Sequence, residues 1–477
     1  MSDRLAVFEA AFNSAVAYRG ELAGKRCSPD KSYREMVEVF DEPIPETGLD
    51  GVAVIHDLAA RGEQGLTQTA HSRFFGWVLG GSAEVGVAAD WLVSAWGQNA
   101  AFHESAPTAA AVEEIAGGWL LEALDLPRAA AVGFVTGGTM ANFTALAAAR
   151  GAVLRRHGWD PDSDGLFGAP PLTVFLGDDA HTSVFSALGY LGLGRKRVQR
   201  IETDREGRML ANDLAKRIGT APGPAIVIAQ AGQINTGAFD PFRELVEIAR
   251  TAEAWLHVDG AFGLWARAHP EYRHLTLGVD GADSWSVDGH KWLQTPFDSG
   301  YAVVRNIDAL ERAMRIEASY LPAQGGSDRI PCFLVPELSR RARGLPTWAM
   351  FKALGRKGIE EMVGRHCQIA RRIAERLKAA RGVRVLNEVV LNQIIVDFGD
   401  GGMTADERRA ATEAVTRLLR ENGAIFVGSG RWRNDWVMRI SIIGGATAMA
   451  DADAVADIIL QGWTAVRSSA ARPGSRT

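Results

Sequence analysis

The chain has 477 residues, 47% hydrophobic and 23% charged, a composition that suits a globular protein with a sizeable buried core. Its formal net charge of -5 is spread along the length without a basic stripe or acidic tail, which argues against nucleic-acid and membrane surfaces and for a small-molecule partner. Only Cys27, Cys332 and Cys367 occur, without metal-ligand spacing, and no apolar run reaches the roughly 18 residues of a membrane span, so no disulfide framework, metal site or export is expected and a cytoplasmic location fits.

In chain order, residues 1–75 read as a helical arm with a Pro-rich connection, "DEPIPETG" at 41–48. Residues 76–345 alternate helical patterns with short apolar runs: "AVGFVT" (131–136), "LTVFLG" (172–177), "AIVIAQ" (225–230), "AWLHVD" (254–259), "DSWSVD" (283–288) and "YAVVR" (301–305). Strands apolar on both faces with helices between them predict a large α/β domain on a mainly parallel sheet, and ligands of such sheets sit at the carboxyl ends of the strands. Residues 346–465 carry a long amphipathic helix, "LNQIIVDFG", a helix near 404–422 and "VMRISII" (437–443), a smaller α/β domain. The polar stretch 466–477 reads as a disordered tail.

Four strand ends carry chemistry. In "GFVTGGTMANFTALAAAR" a strand runs into Gly137, Gly138 and Thr139 and then an Ala-rich helix. Such a turn, with Thr139 as helix cap, offers backbone N–H groups and the positive end of a helix dipole to a phosphate, although an ordinary strand–turn–helix corner uses the same residues. His181 follows the next strand, as a ring for a ligand or as a cap. "HVDGAFG" delivers Asp259 to a strand end, followed by Gly260 and Ala261, small enough for a flat ligand to lie close. A buried carboxylate needs a partner, either a ring N–H⁺ or a structural cation. In "SWSVDGHKWL", His290 and Lys291 follow another apolar strand. A partly desolvated lysine is an amine nucleophile that forms a Schiff base with an aldehyde; on a solvated edge it is a plain charge. Together these parts are what pyridoxal 5′-phosphate requires.

The motifs "GGTMANFTAL", "DDAHTSV", "NTGAFDP", "HVDGAFG", "DGHKWL" and "SRRARGLPTW", in the family's order along about residues 74–460, resemble the group II pyridoxal-phosphate-dependent amino-acid decarboxylases, the aromatic-L-amino-acid and glutamate decarboxylase family. The resemblance implies the fold type I architecture of aspartate aminotransferase: a large domain on a seven-stranded, mainly parallel sheet, a small C-terminal α/β domain, and a homodimer with shared active sites. It implies that Lys291 forms the Schiff base with the cofactor, Asp259 keeps the pyridine ring protonated and His181 stacks on it, opposite Ala261. Gly138 and Thr139 would bind the phosphate with His290 adjoining, and Asn235 would border the site.

The chain departs from the family on the substrate side. The family loop ahead of the arginine motif carries a Tyr that protonates the substrate carbon after CO₂ leaves; here Asp328-Arg329 stands there and Tyr320 lies earlier. Trp77 and Leu79 of "FFGWVLGGSAEV", and Gln98, Phe102 and His103 of "WGQNAAFHESAP", fall on segments near the family's substrate, and Arg439 of "VMRIS" is a candidate for the substrate carboxylate. The expected activity is decarboxylation of an L-amino acid or a similar molecule. The alternatives are oxidative decarboxylation–deamination to an aldehyde, β-elimination from a cysteine conjugate, and a catalytically silent binding protein.

Overall fold

Runs that are apolar on both faces fold as buried strands, and the six runs read from the sequence do so. The computed structural model describes residues 3–316 and 328–470. Helices α1 (Asp3–Glu21), α2 (Tyr33–Phe40) and α3 (Gly51–Gly62) lead to the two-residue strand β1 (Phe74–Phe75) and to α4 (Glu84–Trp96) and α5 (Pro107–Ala123). Next come β2 (Ala131–Val135), α6 (Gly138–Arg156), the single turn α7 (Pro161–Asp164), β3 (Thr173–Gly177), α8 (Thr182–Tyr190), β4 (Gln199–Ile201) and α9 (Ala211–Ile218). They are followed by β5 (Ala225–Gln230), α10 (Phe242–Thr251), β6 (Trp255–Asp259), β7 (Ser284–Asp288), β8 (Gly300–Val304) and α11 (Ile307–Met314). The remainder is α12 (Gly344–Lys378), β9 (Val383–Val385), β10 (Gln393–Phe398), α13 (Ala405–Asn422), β11 (Phe426–Trp432), β12 (Asp435–Ser441) and α14 (Asp451–Ala470).

The described residues divide into two compact units. One comprises Gly80–Arg371 with Asn387–Ile394 and holds a seven-stranded sheet in the order β2-β8-β7-β6-β5-β3-β4. Strand β8 alone runs against its neighbours, being antiparallel to both β2 and β7; the pairs β7–β6, β6–β5, β5–β3 and β3–β4 are parallel. The carboxyl ends of β2, β3, β5, β6 and β7 therefore share one edge. Helix α6 presents Ala141, Ala145 and Ala148 at helical spacing, all wholly buried, and these small side chains let it lie close against β6, β7 and β8.

The other unit comprises the residues up to Leu79, Arg372–Leu386 and those from Ile395 on, with a sheet in the order β1-β11-β12-β10-β9. Here α13 is set by its sequence at both ends: Thr404 and Glu407 form a reciprocal capping box, and Gly423 closes it with φ +67°. Helix α14 runs to Ala470, past residue 466, and the rest of the tail lies outside the described residues. Among the described residues no helix is long and apolar enough to cross a membrane, and no cluster of metal-ligating side chains occurs.

Candidate active site

Strand β7 ends at Asp288, and three residues on stands Lys291, whose Nζ lies 3.0 Å from Asp288 Oδ2 and 5.9 Å from the centroid of the Phe262 ring. The lysine's surroundings are fixed by its neighbours. The indole N–H of Trp292 donates to His366 Nδ1 at 2.9 Å, and Gly80 passes so close that a Cβ there would stand 1.9 Å from the Lys291 carbonyl oxygen. Burial, with Lys291 adding to it, holds the pKa of His290 below the usual imidazole value, against the pull of Asp288. Its Nδ1–H donates to the Ser299 carbonyl at 2.7 Å, so Nε2, 3.7 Å from Asp288 Oδ2, is a neutral neighbour and not an ion pair.

Gly137 and Gly138 cover this group. A Cβ at Gly137 would stand 3.2 Å from His290 Cε1, and one at Gly138 3.1 Å from Asp288 Oδ2. Helix α6 begins at Gly138 with no side-chain cap, which leaves its first-turn N–H groups and dipole end for an anion. The expected capping role of Thr139 is corrected: the turn is completed at Gly137, so Thr139 already lies inside the first turn, beside those N–H groups.

Asp259, at the end of β6, is buried. Its Oδ1 accepts from the Ala261 N–H (3.2 Å) and from Ser286 Oγ (3.4 Å), and its Oδ2 accepts from Asn142 Nδ2 (3.2 Å). All three donors are neutral, so they fix the carboxylate without spending its charge, which remains for a cation at the strand end. Asn142 Oδ1 lies 2.9 Å from His257 Nε2, and His257 Nδ1 lies 2.9 Å from Ser284 Oγ. Complete burial pushes the pKa of His257 down to about 4. The second N–H of Asn142 reaches Ser183 Oγ at 3.2 Å, and Ser183 Oγ lies 2.7 Å from His181 Nδ1. His181 caps α8 by accepting the Ser183 N–H, and its own N–H donates to Gln230 Oε1. The sequence reading brought Lys291, His290, Asp259, His181 and Gly138 to one edge; it passed over Asn142, His257, Ser183, Ser286 and Asp288.

Asn235 follows β5 on the same edge, its N–H held by Gln233 Oε1 at 2.5 Å, while Thr236 Oγ1 donates to the Glu206 carbonyl. The substrate candidates have other neighbours. Arg329 donates to Glu113 Oε1 (2.9 Å) and to the Val132 carbonyl (3.0 Å). Phe102 packs on Ala101, Cys332 and Phe333, Gln98 is exposed and donates to the Trp96 carbonyl, and His103 lies in the same loop. In the other unit the Trp77 ring lies 5.0 Å from that of Phe426, Leu79 packs on Cys27, Phe74 and Phe426, and burial lowers the pKa of Arg439 to about 10. None of these contacts involves Lys291, Asp259 or His181. Tyr320 lies outside the described residues.

A mainly parallel sheet whose strand ends gather an amine, a carboxylate held by neutral donors and a glycine turn at a helix N-terminus defines a fold type I enzyme that uses pyridoxal 5′-phosphate. The pyridoxal-dependent decarboxylase conserved domain matches residues 34–397, and the chain belongs to that family. It is 32% identical to the aromatic-L-amino-acid decarboxylase of Bacillus atrophaeus over 85% of this chain and 84% of that one. It is 28% identical to the 4-hydroxyphenylacetaldehyde synthase of Rhodiola rosea over 71% of this chain and 70% of that one. The fold is shared with Oryza sativa TDC, solved with PLP and tryptamine, at a TM-score of 0.90 and 22% identity over 98% of each chain. The residues present fit this cofactor: a side chain at 137 or 138 would project onto His290 and Asp288, and its absence leaves the uncapped first turn of α6 open to a phosphate.

Proposed function

We propose that the chain decarboxylates an L-amino acid or an amino-acid-like substrate. The single observation that carries this reading is the gathering, on one sheet edge, of Lys291, Asp259, His181 and the Gly137–Gly138 turn in a chain of the decarboxylase family. In this reading Lys291 holds the cofactor through its aldehyde carbon, and Gly138 and Thr139 hold the phosphate with His290 adjoining. When bound, pyridoxal 5′-phosphate supplies an electron-accepting ring that takes up the charge left at Cα as CO₂ departs. Asp259 keeps a proton on the ring nitrogen, His181 covers one ring face and Ala261 the other, and Asn235 borders the site. Gln98, Phe102 and His103 are assigned to the substrate side. The three buried, unpaired thiols favour a reducing compartment such as the cytoplasm.

Purified protein should show the visible absorbance of a lysine-bound cofactor and release CO₂ and an amine from one member of an amino-acid panel. Lys291→Ala should lose both. Survival of the absorbance band in Lys291→Ala removes the assignment, and so does the absence of CO₂ with every substrate.

A second reading, oxidative conversion to an aldehyde, is favoured by Asp328-Arg329 standing where the family carries its loop Tyr, and by the aldehyde synthase among the relatives. Ammonia and peroxide appearing together with CO₂ under air would select it; amine as the sole nitrogen product would remove it.

We further propose a homodimer with shared sites. It is supported by apolar side chains left open on α1: Phe8 is 65% exposed, and Leu5, Phe12 and Val16 follow the same helical stripe.

A further inference from the structure

Two buried polar residues inside the large unit have no part in the assignments above. Asn142 lies on α6 and His257 lies in the middle of β6; both are wholly buried, and both are fully partnered. Their hydrogen bonds have a single consistent assignment. The Asp259 carboxylate only accepts, so the Asn142 atom facing it is the NH₂ group and its oxygen faces His257. His257 Nε2 must then carry the proton that it donates to Asn142 Oδ1. The ring is neutral, so Nδ1 is bare and accepts from the Ser284 hydroxyl, whose other partner is the donating indole N–H of Trp255 at 2.8 Å. On the far side, the second N–H of Asn142 points at Ser183 Oγ, and the Ser183 hydroxyl donates to His181 Nδ1, toward which the Ser183 backbone N–H also points. The chain runs Trp255, Ser284, His257, Asn142, and there it branches to Asp259 and, through Ser183, to His181.

We infer that Asn142 and His257 are positioning residues of the cofactor site, the Asn142 amide fixing at once the Asp259 carboxylate that would meet the ring nitrogen and the Nε2–H tautomer of the His181 that would cover the ring. Every member of the chain has one orientation open to it, so a defect at His257 is felt at both ends. Reversing the amide of Asn142 would bring its oxygen against Asp259 Oδ2 and leave the His257 proton without an acceptor. This inference rests on the roles given above to Asp259 and His181.

The test compares wild type, Asp259→Asn, His257→Phe, His257→Gln and Ser183→Ala. Each apoprotein is titrated with pyridoxal 5′-phosphate, reading Kd from tryptophan fluorescence and the cofactor absorbance bands at saturation. His257→Phe keeps the ring's shape but has no donor, and should weaken binding about tenfold and change the ratio of the bands. His257→Gln keeps a donor near Nε2 and should stay within about threefold of wild type. Ser183→Ala, at a partly exposed site that tolerates the change, should weaken binding about threefold through the His181 branch alone. Wild-type Kd and spectrum in either His257→Phe or Ser183→Ala overturn the inference, as does a His257→Gln that behaves like His257→Phe. If His257→Phe does not fold, an unaltered Ser183→Ala or an impaired His257→Gln overturns it and the reverse pair supports it. Asp259→Asn separates the two levels: unaltered binding there removes the underlying assignment of Asp259 along with the inference, whereas impaired binding there with unaltered His257→Phe and Ser183→Ala removes the inference alone.

Discussion

A histidine sealed between Asn142 and Ser284, with no surface open to solvent, has one proton to place, and this sets a pH dependence that can be measured. The pKa of His257 is near 4 when folded, against an unfolded value of 6.5, with burial as the larger cause and the Asp259 charge opposing it. Between those values the unfolded chain binds more protons than the folded one, so stability falls as pH drops through this window and is fully present above 6.5. The separation corresponds to about 3 kcal/mol. Asp240, buried and pushed up to about 6 by desolvation, titrates in an overlapping window with the opposite sign, so wild type alone would hide the effect. The difference in unfolding free energy between wild-type and His257→Gln apoprotein removes the shared Asp240 contribution. On going from pH 7 to pH 4 it should move against wild type by up to about 3 kcal/mol in urea titrations. A pH-independent difference would mean that His257 titrates alike in the folded and unfolded chains, as a hydrated ring does. Both halves of this network left a trace in the sequence: a histidine inside the apolar run "AWLHVD" and an asparagine inside an Ala-rich helix are buried polar groups that must find partners. What one chain's letters do not carry is the pairing, since residues 142 and 257 meet only once β6 and α6 are stacked.

Glu113 on α5 shows how elements far apart in sequence are tied. Its carboxylate takes two bonds from Arg340 at 2.8 Å each and one from Arg329 at 2.9 Å, and Arg329 also reaches the carbonyl of Val132 in β2. Glu113 and Arg340 are essentially inaccessible to solvent, so removing the carboxylate strands a buried guanidinium. Glu113→Gln should cost about 3–5 kcal/mol in chemical denaturation. Arg329→Gln, which leaves the Arg340 pair intact at a more exposed site, should cost about 1 kcal/mol. Equal losses would show that Arg340 finds another partner. No periodicity announces such a pair, because it lies 227 positions apart. The strands of the large sheet were legible for the opposite reason: runs such as "AIVIAQ" are apolar on both faces, and their observed bounds fall within a residue or so of those expected. The hairpin of β11 and β12 was only half legible, since "FVGSGRW" is polar and partly exposed in its middle. Likewise, the long amphipathic helix read within residues 346–465 is α12, which begins at Gly344 and breaks at Gly355, with φ +60°; an apolar periodicity meets that glycine as a boundary.

A chain that leaves a row of aromatic and aliphatic side chains in water along one helix has surface to cover. On α1 the row Leu5, Phe8, Phe12, Val16 repeats at three- and four-residue steps, each side chain about half or more exposed, and α2 adds Tyr33, Val37 and Phe40 at the same steps. Scattered exposed hydrophobic residues are ordinary; a periodic stripe of this length is the kind of surface that a partner covers, as the proposed dimer would. If a second copy covers it with two-fold symmetry, each position occurs twice in the interface. Replacing Phe8 and Phe12 by Asp then removes four aromatic side chains from it, at about 1 kcal/mol each given their partial exposure. A loss of about 4 kcal/mol weakens association about a thousandfold, enough to turn a micromolar dimer into monomer at working concentrations. Sedimentation of wild type should report two chains and that of Phe8→Asp/Phe12→Asp one. Because the proposed sites are shared between copies, turnover of the variant should recover as protein concentration is raised toward its new dissociation constant. A wild-type monomer would overturn the dimer, and a variant monomer with full turnover would overturn the sharing of sites.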